Sequence, residues 1–383
     1  MEHPVAEAKQ AVIVFFPDAY ANGEKPRRLQ RFLEEHGYQV HPHPTVALTR
    51  LGAGGFAQKL PGPAPAALLG YFFEALFLLT AGRGGGLAQR AAGYAQQRVI
   101  RLRGRLLARR LRGHRYDLLI CESNLDSGLF LHERVAAVQV LDLPAPFAEE
   151  LYFGGVLDDA GLARLRGLEQ RIYAAADRLA FHWHTYAEFV KAVKYDGPNF
   201  LELGYGAPTP TTTARARYSE RPRIVFLGFL QGYWVNLPLL EQLCELYPDI
   251  DIYGGPPPTG PLAKHYKGYS PDTAAASGKD VLADYQFGLV TITDDELRRH
   301  SFSSKHLDYI SYGLPVLTPD WRRDSVLDAS SVHYTPETFL MRIKEFGDEA
   351  AWRAKNAAAL ETAERLSWDK VLRPLLALNA DEH

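Results

Sequence analysis

The sequence AVIVFF at residues 11–16 begins the alternation of strands and helices that determines the fold. A short, continuous apolar run is typical of a strand that is buried on both faces of a parallel sheet. Residues 27–35, which follow it, have a helical periodicity that ends at Gly37, and residues 38–40 predict a second strand. A strand, a helix and a strand in this order predict one β-α-β unit, the building block of a parallel sheet.

The same alternation recurs along two stretches of the chain. The first stretch continues with predicted strands, separated by helix-compatible sequence, at residues 116–121, 136–141, 178–181 and 200–203. The second stretch starts with the strand IVFLG and has predicted strands and helices at residues 224–228, 237–246, 250–253, 287–292, 303–312, 314–317 and from 337 onward. Two such stretches predict an α/β fold of two tandem Rossmann-like, doubly wound domains that face each other across a ligand-binding cleft.

The length of 383 residues also favours two domains, because a single hydrophobic core rarely grows beyond about 250–300 residues. Residues 207–223 read APTPTTTARARYSERPR, which is rich in Pro, Thr and charge and is typical of a linker. The sequence therefore predicts an N-terminal domain at residues 1–206, a linker at 207–222 and a second domain at 223–365. Residues 366–383 are predicted to form a C-terminal helix that packs back on the N-terminal domain.

Composition excludes several classes of protein. The hydrophobic fraction of 46% and the charged fraction of 23% are those of an ordinary globular protein. The net charge of −2 argues against a dedicated nucleic-acid binder. The two cysteines have neither metal-ligand spacing nor a disulfide framework, and residues 1–10 lack the apolar core of a secretory signal. We therefore expect a soluble protein of a reducing cytoplasm.

The segment HSFSSKHLDYISYGLPVL at residues 300–317 carries the strongest indication of a ligand. Ser303 is a good N-cap, so the main-chain N–H groups of Ser304, Lys305 and His306 would point out of the helix start, where the helix dipole also favours an anion. Lys305 adds a full positive charge there. A diphosphate is the expected ligand, and an ordinary capped helix with a solvated lysine is the alternative.

The motifs around this helix resemble the nucleotide-binding domain of the GT-B glycosyltransferases. Members of that superfamily often have a lysine-bearing helix, an acidic residue three positions later, an aromatic residue at a glycine turn, and a Pro-Val strand. The matching residues here are Lys305, Asp308, Tyr312 with Gly313, and Pro315 with Val316. They follow a strand that ends at Gly228 and an IYGG strand end at residues 252–255. The resemblance covers most of the chain in architecture and residues 228–317 in motif.

The resemblance implies a hexosyltransferase-like enzyme that transfers a sugar from a nucleotide diphosphate sugar, with a UDP-sugar as the expected donor. We expect no cofactor besides this co-substrate. By this similarity Ser303, Ser304 and Lys305 would bind the donor pyrophosphate, while Gly228 and the loop from Phe229 would approach the phosphates or the nucleoside. The other residues assigned to the donor site are Tyr253, Glu296, His300 and Asp308. The acidic loop at residues 293–300 lacks the Gly-Phe-Gly sequence usual in retaining members, which leaves the donor sugar and the stereochemistry open.

The acceptor hydroxyl must lose a proton during transfer, so an inverting enzyme needs a carboxylate or a histidine in the first domain. Asp142, directly after the predicted strand at 136–141, is the first candidate, and an overall likeness to bacterial polysaccharide glycosyltransferases, which include the xanthan glucuronosyltransferase, favours an acidic residue here. Glu122 lies at an equivalent strand end, and His184 follows a third strand. For each of them, a capping or structural role is the alternative. The sequence has no metal-binding signature, so a metal-independent reaction is expected.

Two further segments bear on location and partners. Arg98, Arg101, Arg105, Arg109 and Arg112 would form one basic stripe on a helix. Its predicted role is attraction to anionic lipid head groups, assisted by the apolar residues 64–80, which are too few to span a bilayer. A solvated outer face of a Rossmann helix is the alternative. The sequence thus predicts a cytoplasmic protein, peripheral on the inner face of the membrane.

The expected partners are a nucleotide-sugar donor and a glycan, glycolipid or small-molecule acceptor. The Ala-, Arg- and Gly-rich composition favours a bacterial source and a role in polysaccharide or glycoconjugate biosynthesis. Two alternatives share the architecture: a nucleotide-sugar epimerase, and a non-catalytic GT-B protein that only binds a nucleotide sugar or a partner.

Overall fold

The computed structural model describes residues 9–15, 24–44, 86–122, 131–197, 199–209, 215–268 and 281–378. The chain divides into two compact units, the first made of Met1–Gly204 with Leu372–His383 and the second of Tyr205–Val371. The predicted linker at residues 207–222 therefore belongs to the second unit, and the end of the chain belongs to the first. The apolar segment predicted at residues 64–80 lies outside the described residues.

The first unit contains a parallel sheet of five strands. The strands are β1 (Lys9–Phe15), β2 (Tyr38–Pro44), β3 (Tyr116–Glu122), β4 (Ala136–Leu143) and β5 (Arg178–Phe181). Their order in the sheet is β2-β1-β3-β4-β5, and every neighbouring pair is parallel. The helices are α1 (Glu24–Glu35), α2 (Gly86–Leu111), α3 (Phe147–Phe153), α4 (Asp159–Ala174) and α5 (His184–Val193), with a 3-10 turn at Leu131–Glu133.

The second unit contains a parallel sheet of six strands. The strands are β6 (Ile224–Leu227), β7 (Ile250–Tyr253), β8 (Tyr266–Gly268), β9 (Phe287–Leu289), β10 (Val316–Pro319) and β11 (Ser331–Tyr334). Their order is β11-β10-β9-β6-β7-β8. The helices are α6 (Leu237–Leu246), α7 (Glu296–Arg299), α8 (Ser304–Ser311), α9 (Phe339–Phe346), α10 (Glu349–Arg365), α11 (Trp368–Leu372) and α12 (Pro374–Ala377). Of these, α12 lies in the first unit. Three 3-10 turns lie at Gly260–His265, Val281–Asp284 and Asp328–Ser330.

The two sheets confirm the predicted α/β fold with parallel strands. The cause is visible in β1, where residues 11–14 are all fully buried, as strands covered by helices on both faces must be. β2 contains Pro42 and Pro44, and it lies at the edge of its sheet, where a missing N–H donor is tolerated.

The structure differs from the predicted elements in three places. The strand predicted at residues 200–203 forms only an isolated bridge between Leu179 and Phe200. The short strands β8 and β11 were not predicted, because neither has a continuous apolar run. The helical sequence from residue 337 is divided into four helices, and the new start of α10 is explained by Asp348, whose carboxylate accepts hydrogen bonds from the N–H groups of Ala350 and Ala351.

Helix α8 is held on the sheet by Tyr309. Its hydroxyl accepts a hydrogen bond from Leu227 N at 2.7 Å and donates one to Leu289 O at 3.2 Å, so one side chain joins α8 to the ends of β6 and β9. Gly288 makes room for it, since a Cβ atom there would lie 2.2 Å from the Tyr309 ring. A buried tyrosine with both hydrogen bonds made therefore helps to hold α8 on the sheet.

Candidate functional site

A cavity opens beside the first turn of α8, beyond the carboxyl ends of β9 and β10. In parallel α/β sheets this edge is where ligands bind. The polar part of the cavity wall includes Ser303, His306, Thr318, Arg322, Asp324 and Asp328. The remainder is mainly apolar, with Ile292 and Phe302 among its members.

Ser303 is the N-cap residue of α8, as predicted from the sequence. Its backbone is extended, with φ −93° and ψ 121°, but its hydroxyl makes no capping hydrogen bond to the helix. Because the hydroxyl is not used by the helix, it remains a donor and acceptor at the cavity wall. An oxyanion placed here would meet the positive end of the helix dipole.

Lys305 lies in the first turn of α8 but does not line the described cavity. Its ammonium is 3.2 Å from the Asp308 carboxylate, and its side chain is 44% exposed. A pair this exposed contributes little to stability, about 0–1 kcal/mol. An anion at the helix start would compete with Asp308 for this ammonium.

The buried side of the cavity contains His306, Arg322 and Asp324. His306 Nε2 is 3.1 Å from Ser330 Oγ, and this hydroxyl donates its proton to Leu327 O at 2.8 Å. His306 must then donate from Nε2 to this hydroxyl. Burial, with Arg322 nearby, lowers the pKa of His306 to about 3, which agrees with a neutral ring.

Arg322 is the one arginine of the described cavity wall, and it is almost completely buried. Its Nη2 lies 3.2 Å from Asp324 Oδ2, and its Nη1 donates to Arg323 O at 2.9 Å. A guanidinium has five N–H donors, so these two bonds leave others for a ligand. Arg322 was not predicted from the sequence, because a charged turn after a strand normally indicates a solvated loop.

The loop after β6 comes next to the same edge of the sheet. Gly254 has φ +137°, and a Cβ atom there would lie 1.9 Å from Gly228 O, so the ends of β6 and β7 touch through backbone alone. Phe229 and Trp234 are 45% and 42% exposed. The loop is joined to the segment after β9, since Thr293 N donates to Trp234 O at 3.1 Å.

The remaining predicted donor residues also lie in the second unit. Glu296 is the first residue of α7, His300 is its C-cap, and Tyr253 is the last residue of β7. The α7 helix is capped by Asp295, which accepts from Arg298 N at 2.8 Å. The acidic residues of this loop therefore include a structural cap.

A second cluster of ionisable groups lies in the first unit. The ammonium of Lys25 is 2.5 Å from Asp142 Oδ2, and the two side chains are 1% and 0% exposed. Asp142 was expected directly after the strand, but it lies inside β4. Burial raises the pKa of Asp142, and the charge of Lys25 lowers it in part.

Glu122 and His182 complete this cluster. Glu122 is the last residue of β3 and is paired in register with Asp142. His182 Nε2 lies 3.5 Å from Glu122 Oε1, and both side chains are almost fully buried. Burial, with Lys25 as the second cause, lowers the pKa of His182 to about 3. Buried ionisable groups with shifted pKa values are concentrated at functional sites.

His184, the third predicted catalytic residue, begins α5 and is half-buried. Its ring centroid is 5.1 Å from that of Trp183. The sequence predicted Asp142, Glu122 and His184 as candidates but not Lys25. A lysine at the start of a polar helix is normally solvated, so nothing in the local sequence indicated its burial.

Within the described ranges no group of three or more His, Cys, Asp or Glu side chains is arranged to hold a metal ion. Among the described helices, none has the length and apolar character needed to cross a bilayer.

The fold is similar to that of several solved glycosyltransferases. A glycosyltransferase from Rickettsia africae has a TM-score of 0.55 at 10% identity, with 97% of this chain and 98% of that chain covered. The lipopolysaccharide outer core galactosyltransferase WaaB has 0.55 at 11%, with 98% and 100% covered. Anabaena Alr3699/HepE, solved with UDP and glucose, has 0.56 at 11%, with the same coverage.

These similarities confirm the resemblance at the level of the fold: the chain has the GT-B fold. No protein-family model and no curated protein matches the sequence.

Proposed function

We propose that this chain is a metal-independent glycosyltransferase that moves a sugar from a nucleotide diphosphate sugar to a saccharide, lipid or small-molecule acceptor. The observation that carries the proposal is the N-terminus of α8, where the helix does not use the Ser303 hydroxyl and Lys305 lies in the first turn. The fold of the chain follows that of glycosyltransferases over 97–98% of its length. The Anabaena protein was solved in complex with UDP and glucose, which supports a UDP-sugar as donor.

On the donor side, α8 stabilises the diphosphate that leaves during transfer. The helix N-terminus, the Ser303 hydroxyl and the Lys305 ammonium supply positive potential and hydrogen-bond donors, which favour the charge that develops on the leaving oxygen. Lys305 exchanges its exposed contact with Asp308 for the phosphate. Gly228 and Phe229 border the same edge of the sheet and contact the nucleoside or the phosphates. Tyr253, Glu296, His300 and Ser304 complete the proposed donor site.

On the acceptor side, Asp142 is the first candidate for the base that removes the acceptor proton. A base must come within hydrogen-bond distance of that proton, and Asp142 is fully buried against Lys25. Transfer then requires the Lys25–Asp142 pair to open toward the acceptor. Glu122 and His184 are the second and third candidates, of which His184 has the more exposed side chain.

The test is an assay of sugar transfer with the Asp142→Asn variant. Because the substitution leaves Lys25 buried without its partner, the assay is made under conditions where circular dichroism shows the variant to be as folded as the wild type. We expect the variant to lose transfer by about 100-fold or more, the usual contribution of a general base, while its affinity for the nucleoside diphosphate stays unchanged. A chain that binds a nucleotide sugar but transfers nothing, in the wild type as well as in the variant, would be a non-catalytic binding protein. Full activity of the variant would move the base to Glu122 or His184.

The acceptor class and the membrane are linked in this proposal. A glycolipid acceptor would require the enzyme to work at a bilayer, and the peripheral contact predicted from the sequence depends on the outer face of α2. Sugar transfer itself does not require this contact when the acceptor is soluble.

A further inference from the structure

Helix α2 has one face against its own domain and one face in solvent. It extends over 26 residues, which corresponds to about 39 Å. Its inner face packs on α4 and contributes the buried residues Ala95, Ile100, Leu107 and Leu111 to the core. Its sequence contains no aspartate and no glutamate. The helix is therefore anchored along its length by apolar contacts, and no acidic residue of its own neutralises its arginines.

The outer face is lined by arginine along most of its length. We call this set the cationic stripe: Arg90, Arg98, Arg101, Arg105, Arg109 and, just beyond the helix, Arg112. All six side chains are exposed. Within the stripe from Arg98 onward, successive residues are three or four positions apart, so they lie side by side on one face. Like charges at this spacing repel each other, so the stripe costs stability in the absence of an anion.

The middle of the cationic stripe has no counter-ion among the described residues. At its ends, Arg90 lies 3.3 Å from Asp158 and Arg112 lies 3.5 Å from Glu133. Arg101, Arg105 and Arg109 make no hydrogen bond or ion pair with any part of the chain that the structure describes. The whole chain has a net charge of −2, so the rest of the chain is net negative. The positive charge is thus concentrated on one helix face.

The N-terminal end of the same face exposes two larger apolar side chains. Leu87 is 86% exposed and Tyr94 is 47% exposed. The guanidinium of Arg98 lies 4.9 Å from the centroid of the Tyr94 ring, and its Nε donates to the Tyr94 hydroxyl at 2.9 Å. An aliphatic residue and a tyrosine beside arginines are typical of a helix that lies in the interface of a membrane.

We propose that the cationic stripe of α2 is the surface by which this protein docks on an anionic phospholipid bilayer. The guanidinium groups bind lipid phosphates, for which their planar donor geometry is suited. The six guanidinium groups of the stripe are exposed on one helix face, where they can bind several lipid phosphates at once. A nucleic acid that extends beyond this helix would instead meet the net negative remainder of the chain. The proposal does not depend on sugar transfer.

The experiment is flotation of the purified chain with vesicles of phosphatidylcholine alone and with added phosphatidylglycerol. We expect binding only to the vesicles that contain the anionic lipid. Binding must weaken strongly between low salt and about 0.5 M NaCl, because salt screens exposed charges. If the chain binds neutral and anionic vesicles equally well, the cationic stripe does not select anionic lipid and the proposal is contradicted.

The variant R101E/R105E/R109E reverses the unpaired middle of the stripe. We expect its affinity for anionic vesicles to fall by about 100-fold or more, since each arginine near an anionic surface contributes about a factor of five. The matched control is R217E/K264E/K344E, which makes the same change of charge at exposed positions of the second unit. The control should float like the wild type.

Folding and function are checked separately. Circular dichroism and nucleotide affinity should be the same in both triple variants, and R101Q/R105Q/R109Q, whose glutamines are good helix formers, replaces the glutamate variant if that one does not fold. Equal flotation of the two triple variants overturns the proposal. The proposal is also overturned if the wild type does not float with anionic vesicles but binds a single-stranded oligonucleotide. If the wild type binds no nucleotide, that result contradicts the proposed glycosyltransferase function and not the membrane-docking surface.

Discussion

Lys25 and Asp142 form a pair that is buried almost completely, so each charge depends on the other. Removing one partner of such a pair leaves an uncompensated buried charge, which typically costs about 3–5 kcal/mol. We therefore expect Lys25→Met to lower the free energy of unfolding by about this amount, as measured by urea denaturation. Lys344→Met, at a lysine on the surface of the second unit, should change it by less than about 0.5 kcal/mol.

The double variant Lys25→Met with Asp142→Leu provides the second half of this test. It removes both charges, so it should recover most of the stability that the single variant loses, because two apolar side chains no longer need a partner. A double variant as unstable as Lys25→Met alone would show that packing, and not the ion pair, determines the effect.

The buried histidine His306 makes the stability of the protein depend on pH. Its pKa is about 3 in the folded protein, against 6.5 for an ordinary histidine. Below pH 6.5 the histidine is therefore protonated in the unfolded chain but not in the folded chain. The contribution of His306 to the free energy of unfolding is fully present above pH 6.5 and is lost as the pH falls toward 3. His182 acts in the same direction.

We expect His306→Gln to reduce this acid sensitivity. The wild type should lose about 2 kcal/mol between pH 7 and pH 5 from His306 alone, and the variant should lack that share. Urea unfolding at the two pH values measures the difference. If the wild type and the variant lose equal stability, the pKa of His306 in the folded state is not lowered and its ring is not neutral there.

The candidate site was predictable in part at this scale. Ser303 could be recognised as an N-cap, because the residue type and the helical periodicity after it are local properties. Lys25 and Arg322 could not, because their burial depends on partners or loops brought together by the fold. A lysine in a polar first turn has the same local sequence whether it is solvated or paired with a distant Asp142.

Among the elements, α8 is joined to two strands of its sheet by the hydroxyl of one side chain. Tyr309 bonds to Leu227 N and Leu289 O, both at the ends of strands. Tyr309→Phe should cost about 1–3 kcal/mol, because it leaves a buried N–H donor and a buried carbonyl without their partner. Because the same bonds position the α8 N-terminus, we also expect weaker nucleotide binding, measured by calorimetry under conditions where the variant is folded. Unchanged stability would mean that packing alone holds the helix.

The elements that could be predicted are those with strong periodicity. The helix at residues 237–246 and the strands at 178–181 and 250–253 coincide with the structure, because each has a clear apolar pattern and a clear end. The sequence SVHY of β11 has no such pattern, and its pairing is supplied by β10 beside it. Residues 200–203 form only an isolated bridge to Leu179, in which Leu179 N donates to Asn199 O and Leu201 N donates to Leu179 O.

For the molecule as a whole, two alternating stretches of strands and helices were enough to predict two parallel sheets. This holds even though the solved structures of the same fold share only 10–11% of their residues with this chain. Buried periodicity is retained when identities are not, since a strand covered on both faces accepts many apolar residues. The chemistry needs particular residues and is not predicted by the same pattern.

The proposed function stands on the assignment of the donor diphosphate to the α8 N-terminus. Calorimetric titration of the wild type with UDP, GDP, TDP and ADP tests this assignment, repeated with Lys305→Ala, with Ser303→Ala and with the control Lys344→Ala. We predict that one diphosphate binds best, with UDP expected. Lys305→Ala should weaken that binding by about 10- to 100-fold, the effect of losing a hydrogen bond to a charged group, while Lys344→Ala changes nothing. If no nucleotide binds, or if binding is indifferent to both Lys305 and Ser303, the donor site is not at α8 and the assignment is wrong.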